Sequence, residues 1–127
     1  MMSMKKAFFT ILSLVVLLCS CQKEDKNGDL GGFWKIMETV DYNGVTTDAK
    51  EESLFWRVQL KLLQINNTYA RFKHTGDSLF VQLIDHNGKG LKNYGIYGSE
   101  ERFGVEHLDR NGMVLRSDSV RIRFRKF

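Results

Sequence analysis

The chain alternates apolar and polar residues along short segments, and this alternation constrains its fold more than any other feature. The clearest case is Val120–Arg125, where three apolar residues alternate with three arginines. Successive side chains of a strand point to opposite faces, so the segment predicts a strand with one buried face. Proline is absent, and turn-forming pairs punctuate the chain at Asn43-Gly44, Gly76-Asp77, Asn87-Gly88 and Asn111-Gly112. Alternating segments joined by tight turns predict an antiparallel meander.

The alternation predicts seven strands after residue 30. They are Gly32–Tyr42, Leu54–Ile65, Thr68–His74, Ser78–Asp85, Arg102–Leu108, Gly112–Arg116 and Ser119–Phe127. The segment Leu91–Tyr97 is an eighth strand or a short helical turn. Closing such a meander pairs both of its edge strands, which an open sheet leaves unpaired. The sequence therefore predicts an all-β fold, a small up-and-down antiparallel β-barrel of about seven or eight short strands.

One predicted strand, Leu54–Ile65, also fits a helix. Asp48–Glu51 has the form of a capping box, and apolar residues recur at helical spacing through the segment that follows. A strand fits as well, because apolar residues from Trp56 onward alternate with polar ones. We favour the strand, since its neighbours are strands and aromatic or β-branched residues occur in it. The pair Leu62-Leu63 breaks the alternation and predicts a β-bulge.

The N-terminus has the features of a secretory leader. Lys5-Lys6 supplies positive charge and Ala7–Leu18 is an apolar run of 12 residues, shorter than the roughly 20 residues of a permanent membrane span. The run ends in Leu18-Cys19-Ser20-Cys21, which resembles the bacterial lipobox. The resemblance implies that Cys21 becomes the acylated N-terminus and that Cys19 leaves with the leader. A disulfide between residues two apart would be strained, and a C-x-C metal pair lacks companion ligands here.

The lipobox resemblance implies three segments: a signal peptide at 1–20, a lipidated tether at 21–29 and a barrel domain at 30–127. Gln22–Asp25 resembles the lysine-plus-acidic export signal of Bacteroidetes surface lipoproteins. This resemblance implies a lipid-anchored protein of the outer membrane that is displayed on the cell surface. A solvated tether on an inward-facing lipoprotein is the alternative.

The composition describes one ordinary domain. The 127 residues are 43% apolar and 27% charged, as is typical of a globular chain. Without Lys5 and Lys6 of the leader, 17 of the 19 basic residues remain, against 15 acidic residues. So small a net charge gives no support for nucleic-acid binding.

The first and last predicted strands resemble those of lipocalins. Gly32-Phe33-Trp34 begins the first strand, where that family has its G-x-W motif, and Arg121, Arg123 and Arg125 crowd the last. The whole mature chain resembles the small lipocalin-like, or calycin-like, domains of Bacteroidetes lipoproteins. The resemblance implies that one of the three arginines packs across Trp34 and closes the bottom of the barrel.

The interior of an eight-stranded barrel is either filled by its own side chains or holds one small ligand. Aromatic residues are the candidates to contact a small apolar or amphipathic ligand, although each alone also fits a core position. These candidates are Trp34, Trp56, Tyr69, Phe72, Phe80, Tyr94, Tyr97 and Phe103. The glycine-rich stretch Lys89–Gly98 predicts a mobile lid at the barrel mouth. The alternative function is a filled barrel whose outer face meets a protein or glycan.

The sequence offers little for catalysis. Its three histidines are His74, His86 and His107, and no serine lies in a G-x-S-x-G motif. Glu106 and His107 are neighbours on a predicted strand, so they point to opposite faces and cannot share a metal site without a bulge. We therefore expect a protein that is not an enzyme, with no catalytic residue, no metal and no cofactor. The expected partners are a membrane, through the lipid anchor, and a small apolar ligand.

Overall fold

The computed structural model describes residues 27–127. The predicted signal peptide, Cys21 and the first part of the predicted tether lie outside the described residues. Nine strands follow one another: β1 (Gly32–Asp41), β2 (Thr46–Asp48), β3 (Phe55–Gln59), β4 (Leu62–Ile65), β5 (Thr68–Thr75), β6 (Ser78–Leu83), β7 (Glu100–Leu108), β8 (Gly112–Arg116) and β9 (Val120–Lys126). The helical elements of this part of the chain are two short 3-10 turns, Gly28–Leu30 and Lys92–Tyr94.

Eight of the nine strands close into a barrel. From β3 to β9 each strand pairs with the next, and β1 pairs with β3 on one side. The barrel closes where β1 pairs antiparallel with β9, from Trp34 opposite Lys126 to Asp41 opposite Val120. The short strand β2 is an addition that pairs with the C-terminal half of β1. The predicted all-β antiparallel barrel is therefore confirmed.

The antiparallel order places the strand connections at two opposite ends of the barrel. The end that we call the N-terminal end holds residues 27–31 and the turns at 60–61, 76–77 and 109–111. The other end, the mouth end, holds the connections at 42–54, 66–67, 84–99 and 117–119. Within residues 27–127, no helix has the length and apolar character needed to cross a bilayer.

Apolar side chains pack the interior of the barrel. Its largest fully buried side chains are those of Trp34, Trp56 and Phe103. The Trp56 ring meets two other rings edge-on, with centroid distances of 5.7 Å to Phe103 and 4.9 Å to Phe124. Among the described residues, no buried side-chain nitrogen or oxygen lacks a hydrogen-bond partner. The core thus combines dense aromatic packing with satisfied polar atoms, as a stable interior requires.

The segment Leu54–Ile65 differs from the prediction of one bulged strand. It forms a hairpin in which β3 and β4 pair directly, and Leu60-Lys61 is its turn. Leu60 has a φ of 55°, so the chain reverses at a residue type that seldom adopts this conformation. The broken alternation at Leu62-Leu63 reflects the reversal and not a bulge. The helix alternative is also wrong.

Two other connections refine the prediction. The segment Leu91–Tyr97 is a loop with one 3-10 turn, so its strand alternative is wrong and its helical alternative is confirmed. Asn87-Gly88 lies within the long connection between β6 and β7 and does not join two strands as a tight hairpin. The predicted strand Ser78–Asp85 ends earlier, at Leu83, and Asp85 has a positive φ of 52°, which is not a strand conformation.

Asp109 orders the turn between β7 and β8. Its Oδ1 accepts the backbone N–H of Asn111 at 2.7 Å and of Gly112 at 2.8 Å, and its Oδ2 lies 2.8 Å from His107 Nε2. The backbone hydrogen bonds from Asn111 and then Gly112, followed by His107, hold the pKa of the Asp109 carboxyl below its ordinary value. Ionised Asp109 therefore favours the folded turn.

We expect Asp109→Asn to lower the urea midpoint of unfolding at neutral pH. The folded-state pKa of Asp109 lies below the unfolded value, so its contribution is complete above about pH 4 and is lost as pH falls through the folded pKa. The difference between wild type and variant should therefore shrink in acid. Asp118→Asn in the β8–β9 turn is the matched control, with a small effect throughout. A difference that does not change with pH would contradict this role.

Candidate ligand-binding site

The N-terminal end of the barrel is closed over Trp34. Its indole Nε1 donates to Leu30 O at 2.7 Å, and Leu30 itself is buried. Lys126 Nζ lies 4.1 Å from the centroid of the Trp34 ring, donates to Asp29 O at 2.8 Å and also donates to Gly31 O. This cation–π contact and its hydrogen bonds tie the last strand to the entry of the first.

The cation over Trp34 is therefore Lys126, which corrects the expectation that one of three arginines would fill this position. Lys126 shares the inward face of β9 with Phe124, whereas the arginines alternate outward. Arg121 Nε lies 2.9 Å from Glu106 Oε2, and Arg123 Nη2 lies 3.8 Å from Glu38 Oε2. Arg125 is exposed. The three arginines thus lie on the outer face of β9. Exposed ion pairs of this kind add little stability.

The predicted lid closes the mouth end. The Tyr94 carbonyl accepts a hydrogen bond from Trp56 Nε1 at 2.9 Å, and Ile96 is fully buried. Gly95 has a φ of 81°, and a Cβ on this residue would lie 2.1 Å from Ile122 Cδ1. Only glycine fits a backbone that approaches the core this closely with a left-handed conformation. The segment is thus a packed plug, which we call the mouth plug (Leu91–Tyr97).

The end of the mouth plug is held by Glu101, whose Oε1 accepts the N–H of Tyr97 at 2.8 Å and of Gly98 at 3.1 Å. Burial raises the pKa of the Tyr97 phenol above its ordinary value, and the nearby Asp41, Tyr42 and Glu101 add to the rise. Tyr97 therefore stays neutral at physiological pH. It borders a polar cleft of about 340 Å³ between the plug and the β1–β3 connection.

The eight aromatic residues predicted to contact a ligand do not form one site. Trp34, Trp56 and Phe103 belong to the packed interior, while Tyr94 and Tyr97 belong to the mouth plug. Phe72 is half-buried against the core. The other two lie on the outside: Phe80 has the Arg102 guanidinium 5.3 Å from its ring centroid, and Tyr69 is 50% exposed.

A cleft on the outer surface of β3, β4 and β5 groups several apolar side chains. We call it the outer cleft; its volume is about 560 Å³. It is lined by Arg57, Gln59, Leu60, Lys61, Leu62, Gln64 and Tyr69. Leu60 is 68% exposed and Leu62 is 44% exposed, although leucines are usually buried. A second cleft, of about 500 Å³, continues from the same leucines past Asn27 to Phe72.

The charged side chains of β3, β4, β5 and the turns between them all have one sign. Residues 54–76, which contain β3, β4 and β5, include four basic residues and no aspartate or glutamate. The basic residues are Arg57, Lys61, Arg71 and Lys73. The guanidinium of Arg57 lies 5.1 Å from the centroid of the exposed Phe33 ring. Apolar surface beside cations matches a molecule with an apolar body and an anionic group.

Sequence reasoning missed the outer cleft because it took Leu54–Ile65 as one strand. A single strand would have carried Leu60 and Leu62 on its inner face. Two signals were present: the long stretch without a carboxylate, and the break in alternation at Leu62-Leu63. Neither shows by itself that a turn exposes the leucines.

Each of the three histidine rings makes a hydrogen-bonding contact with a residue two positions away in the sequence. His74 Nε2 lies 3.0 Å from Gly76 O, and His86 Nδ1 accepts the N–H of Gly88 at 2.9 Å. His107 and Glu106 diverge at a β-bulge in β7: the imidazole contacts Asp109 while the carboxylate contacts Arg121. In the described part of the chain, no three histidine, cysteine or carboxylate side chains come close enough to hold a metal ion.

Comparison with known proteins identifies relatives of the chain. The model of a family described as "Lipocalin-like domain" matches residues 16–127. A crystal structure of a lipocalin-like protein from Bacteroides uniformis has a TM-score of 0.65 and 21% identity, and covers 79% of this chain and 100% of that chain. An uncharacterized protein from Bacteroides eggerthii has a TM-score of 0.59 and 21% identity, with coverages of 76% and 98%. No curated protein matches.

Proposed function

This chain belongs to the family of lipocalin-like domains, and from this premise we propose that it is a non-catalytic binding protein whose ligand site is the outer cleft. A lipocalin-like barrel is a fold that can bind a small ligand. In this barrel the interior positions are occupied by Trp34, Trp56 and Phe103, and both ends are closed by backbone and side-chain contacts. The outer cleft therefore supports ligand binding better than the interior does.

The observation that carries this proposal is the combination of exposed apolar side chains with positive charge on a segment, residues 54–76, that contains no carboxylate. Leu60, Leu62 and Tyr69 offer apolar contact, and Arg57 and Lys61 border the same cleft. Exposed apolar side chains grouped in this way indicate an interaction site on a soluble domain. The proposed ligand is an amphipathic anion, such as an alkyl carboxylate or an alkyl phosphate.

Calorimetric titration of residues 27–127 with alkyl carboxylates of increasing length tests the proposal, because the barrel closes within this segment. Each added methylene that enters the cleft should tighten binding about three- to fourfold, since burial of a methylene contributes about 0.8 kcal/mol. Affinity should also fall with added salt, because the cations are exposed. An affinity independent of chain length would contradict the proposal.

We expect Leu62→Ser and Tyr69→Ser each to weaken this binding about tenfold, because each removes apolar contact area from the cleft. Both side chains are partly exposed, so the variants should fold normally. Tyr42→Ser is the matched control: Tyr42 is 73% exposed and lies at the mouth end. Equal losses in all three variants would show that the outer cleft is not the site.

We also propose that acyl chains on Cys21 anchor the protein to the outer membrane and that the barrel is displayed on the cell surface. The support is the leader, the lipobox-like Leu18–Cys21 and the acidic stretch after it. At roughly 0.8 kcal/mol per buried methylene, several acyl chains would hold the protein firmly on a bilayer. Intact mass of the native protein should show residues 21–127 plus lipid. Protease added to whole cells should digest the domain, and protection would contradict surface display.

A further inference from the structure

We propose that the amphipathic anion bound at the outer cleft is an anionic lipid of the leaflet that holds the anchor, so that the β3–β4 turn rests in the membrane interface. This inference rests on the proposed function of the outer cleft and on the proposed anchor at Cys21, and it deepens the first of these by naming the class of ligand. The turn residues Leu60 and Lys61, which we call the tip, are the part of the cleft nearest the start of the barrel domain. Three observations support the assignment.

The first observation is the position of the tip relative to the chain before the barrel. Asn27 Nδ2 donates to Leu60 O at 2.9 Å, so the described chain begins directly beside the tip. Six residue steps separate Cys21 from Asn27, and they span at most about 20 Å when fully extended. An acylated Cys21 therefore holds Asn27 within about 20 Å of the leaflet, with the tip directly beside Asn27, while the mouth end lies on the far side of the barrel.

The second observation is the residue type at the tip. Leu60 combines a φ of 55° with 68% exposure of an apolar side chain. Comparable positive-φ positions in other turns of this barrel hold Asn66 and Gly76, which adopt that conformation at lower cost. A leucine in this position has two unfavourable free-energy terms: the strain of a positive φ and the exposure of its apolar side chain to water. Insertion of the side chain at the boundary between lipid headgroups and acyl chains would remove it from water and so offset the cost of exposure.

The third observation is charge complementarity. The four basic residues of β3–β5 stand without a carboxylate in residues 54–76, and Lys61 belongs to the tip itself. Lysine and arginine beside an inserted apolar side chain are the groups that meet anionic headgroups. The half-exposed Tyr69 on the same surface suits the headgroup level, where tyrosine is enriched.

Lysine footprinting of the mature acylated protein tests this inference. The protein is reconstituted into vesicles of phosphatidylethanolamine and anionic phosphatidylglycerol and treated with a water-soluble amine-acetylating reagent; mass spectrometry then gives the modification at each lysine. Lys61 at the tip and Lys92 and Lys50 at the mouth end are all exposed in the protein. We expect Lys61 to react about fivefold more slowly than the two mouth-end lysines, because the interface covers it.

Leu60→Gly gives the test a second readout. Glycine suits the positive φ, so the variant should keep or raise its melting temperature, yet it should restore reactivity at Lys61. Vesicles of zwitterionic phosphatidylcholine should likewise reduce the protection of Lys61 in the wild type. If Lys61 reacts as fast as Lys92 on anionic vesicles while alkyl carboxylates still bind the outer cleft, the membrane assignment is overturned and the proposed function stands. If neither vesicle protection nor carboxylate binding occurs, both are overturned.

Discussion

Replacing Trp56 by alanine should remove a large part of the stability of the barrel. Truncation of a buried tryptophan costs about 3 to 5 kcal/mol, against a total of about 5 to 15 kcal/mol for a typical domain. The side chain is fully buried, contacts Phe103 and Phe124, and donates a hydrogen bond to Tyr94 O. Urea unfolding of residues 27–127 measures the change.

Two companion variants separate the contributions at this position. Trp56→Phe keeps an aromatic ring but leaves Tyr94 O without its donor, so it should cost about 1 to 3 kcal/mol. Tyr42→Ala removes an exposed aromatic ring at the mouth end and should change stability by about 0.5 kcal/mol or less. A loss below about 1 kcal/mol for Trp56→Ala would mean that the interior is loosely packed and has room for a ligand.

Replacing Gly95 by alanine should also be strongly destabilising, with an expected loss of about 2 to 4 kcal/mol. The new Cβ would meet Ile122 Cδ1 at 2.1 Å and would sit on a backbone with a φ of 81°. Ile122 is fully buried, so its side chain has little room to move away. The mouth plug must then shift outward or the core must repack.

The chain offers a close control for this prediction. Gly90 has a φ of 84°, but a Cβ there would meet no atom within 4 Å. Gly90→Ala therefore carries the same backbone strain without the clash and should cost only about 1 to 2 kcal/mol. Adding Ile122→Val to Gly95→Ala removes the Cδ1 atom and should restore part of the loss. Equal losses at Gly90 and Gly95 would contradict close packing of the plug.

The barrel itself could be predicted from the sequence because alternation and turn chemistry agree along most of the chain. Val120–Arg125 shows why: its apolar positions can only face a core, and its arginines can only face water. The same parity placed Lys126 on the inner face with Phe124. The alternation alone therefore predicts Lys126 as the cation over Trp34. The family resemblance pointed instead to one of the arginines.

The β3–β4 hairpin and the outer cleft could not be predicted, because Leu60-Lys61 contains no turn-forming residue. Its conformation is set by the pairing of β3 with β4 and by the contact with Asn27, and tertiary contacts of this kind override local preference. The short strand β2 could not be predicted from the sequence for a related reason. Thr46–Asp48 is polar and exposed throughout, so it has no buried face that could produce alternation.

The central claim, that ligand binds outside a filled barrel, is tested most directly by NMR during titration with an alkyl carboxylate. The chain has two tryptophans, both fully buried, so their two indole N–H signals report on the interior. We expect these signals and the amide of Gly95 to stay in place while amides of residues 57–71 shift. Movement of both indole signals and of the mouth plug, with β3–β5 unchanged, would place the ligand inside the barrel and contradict the account.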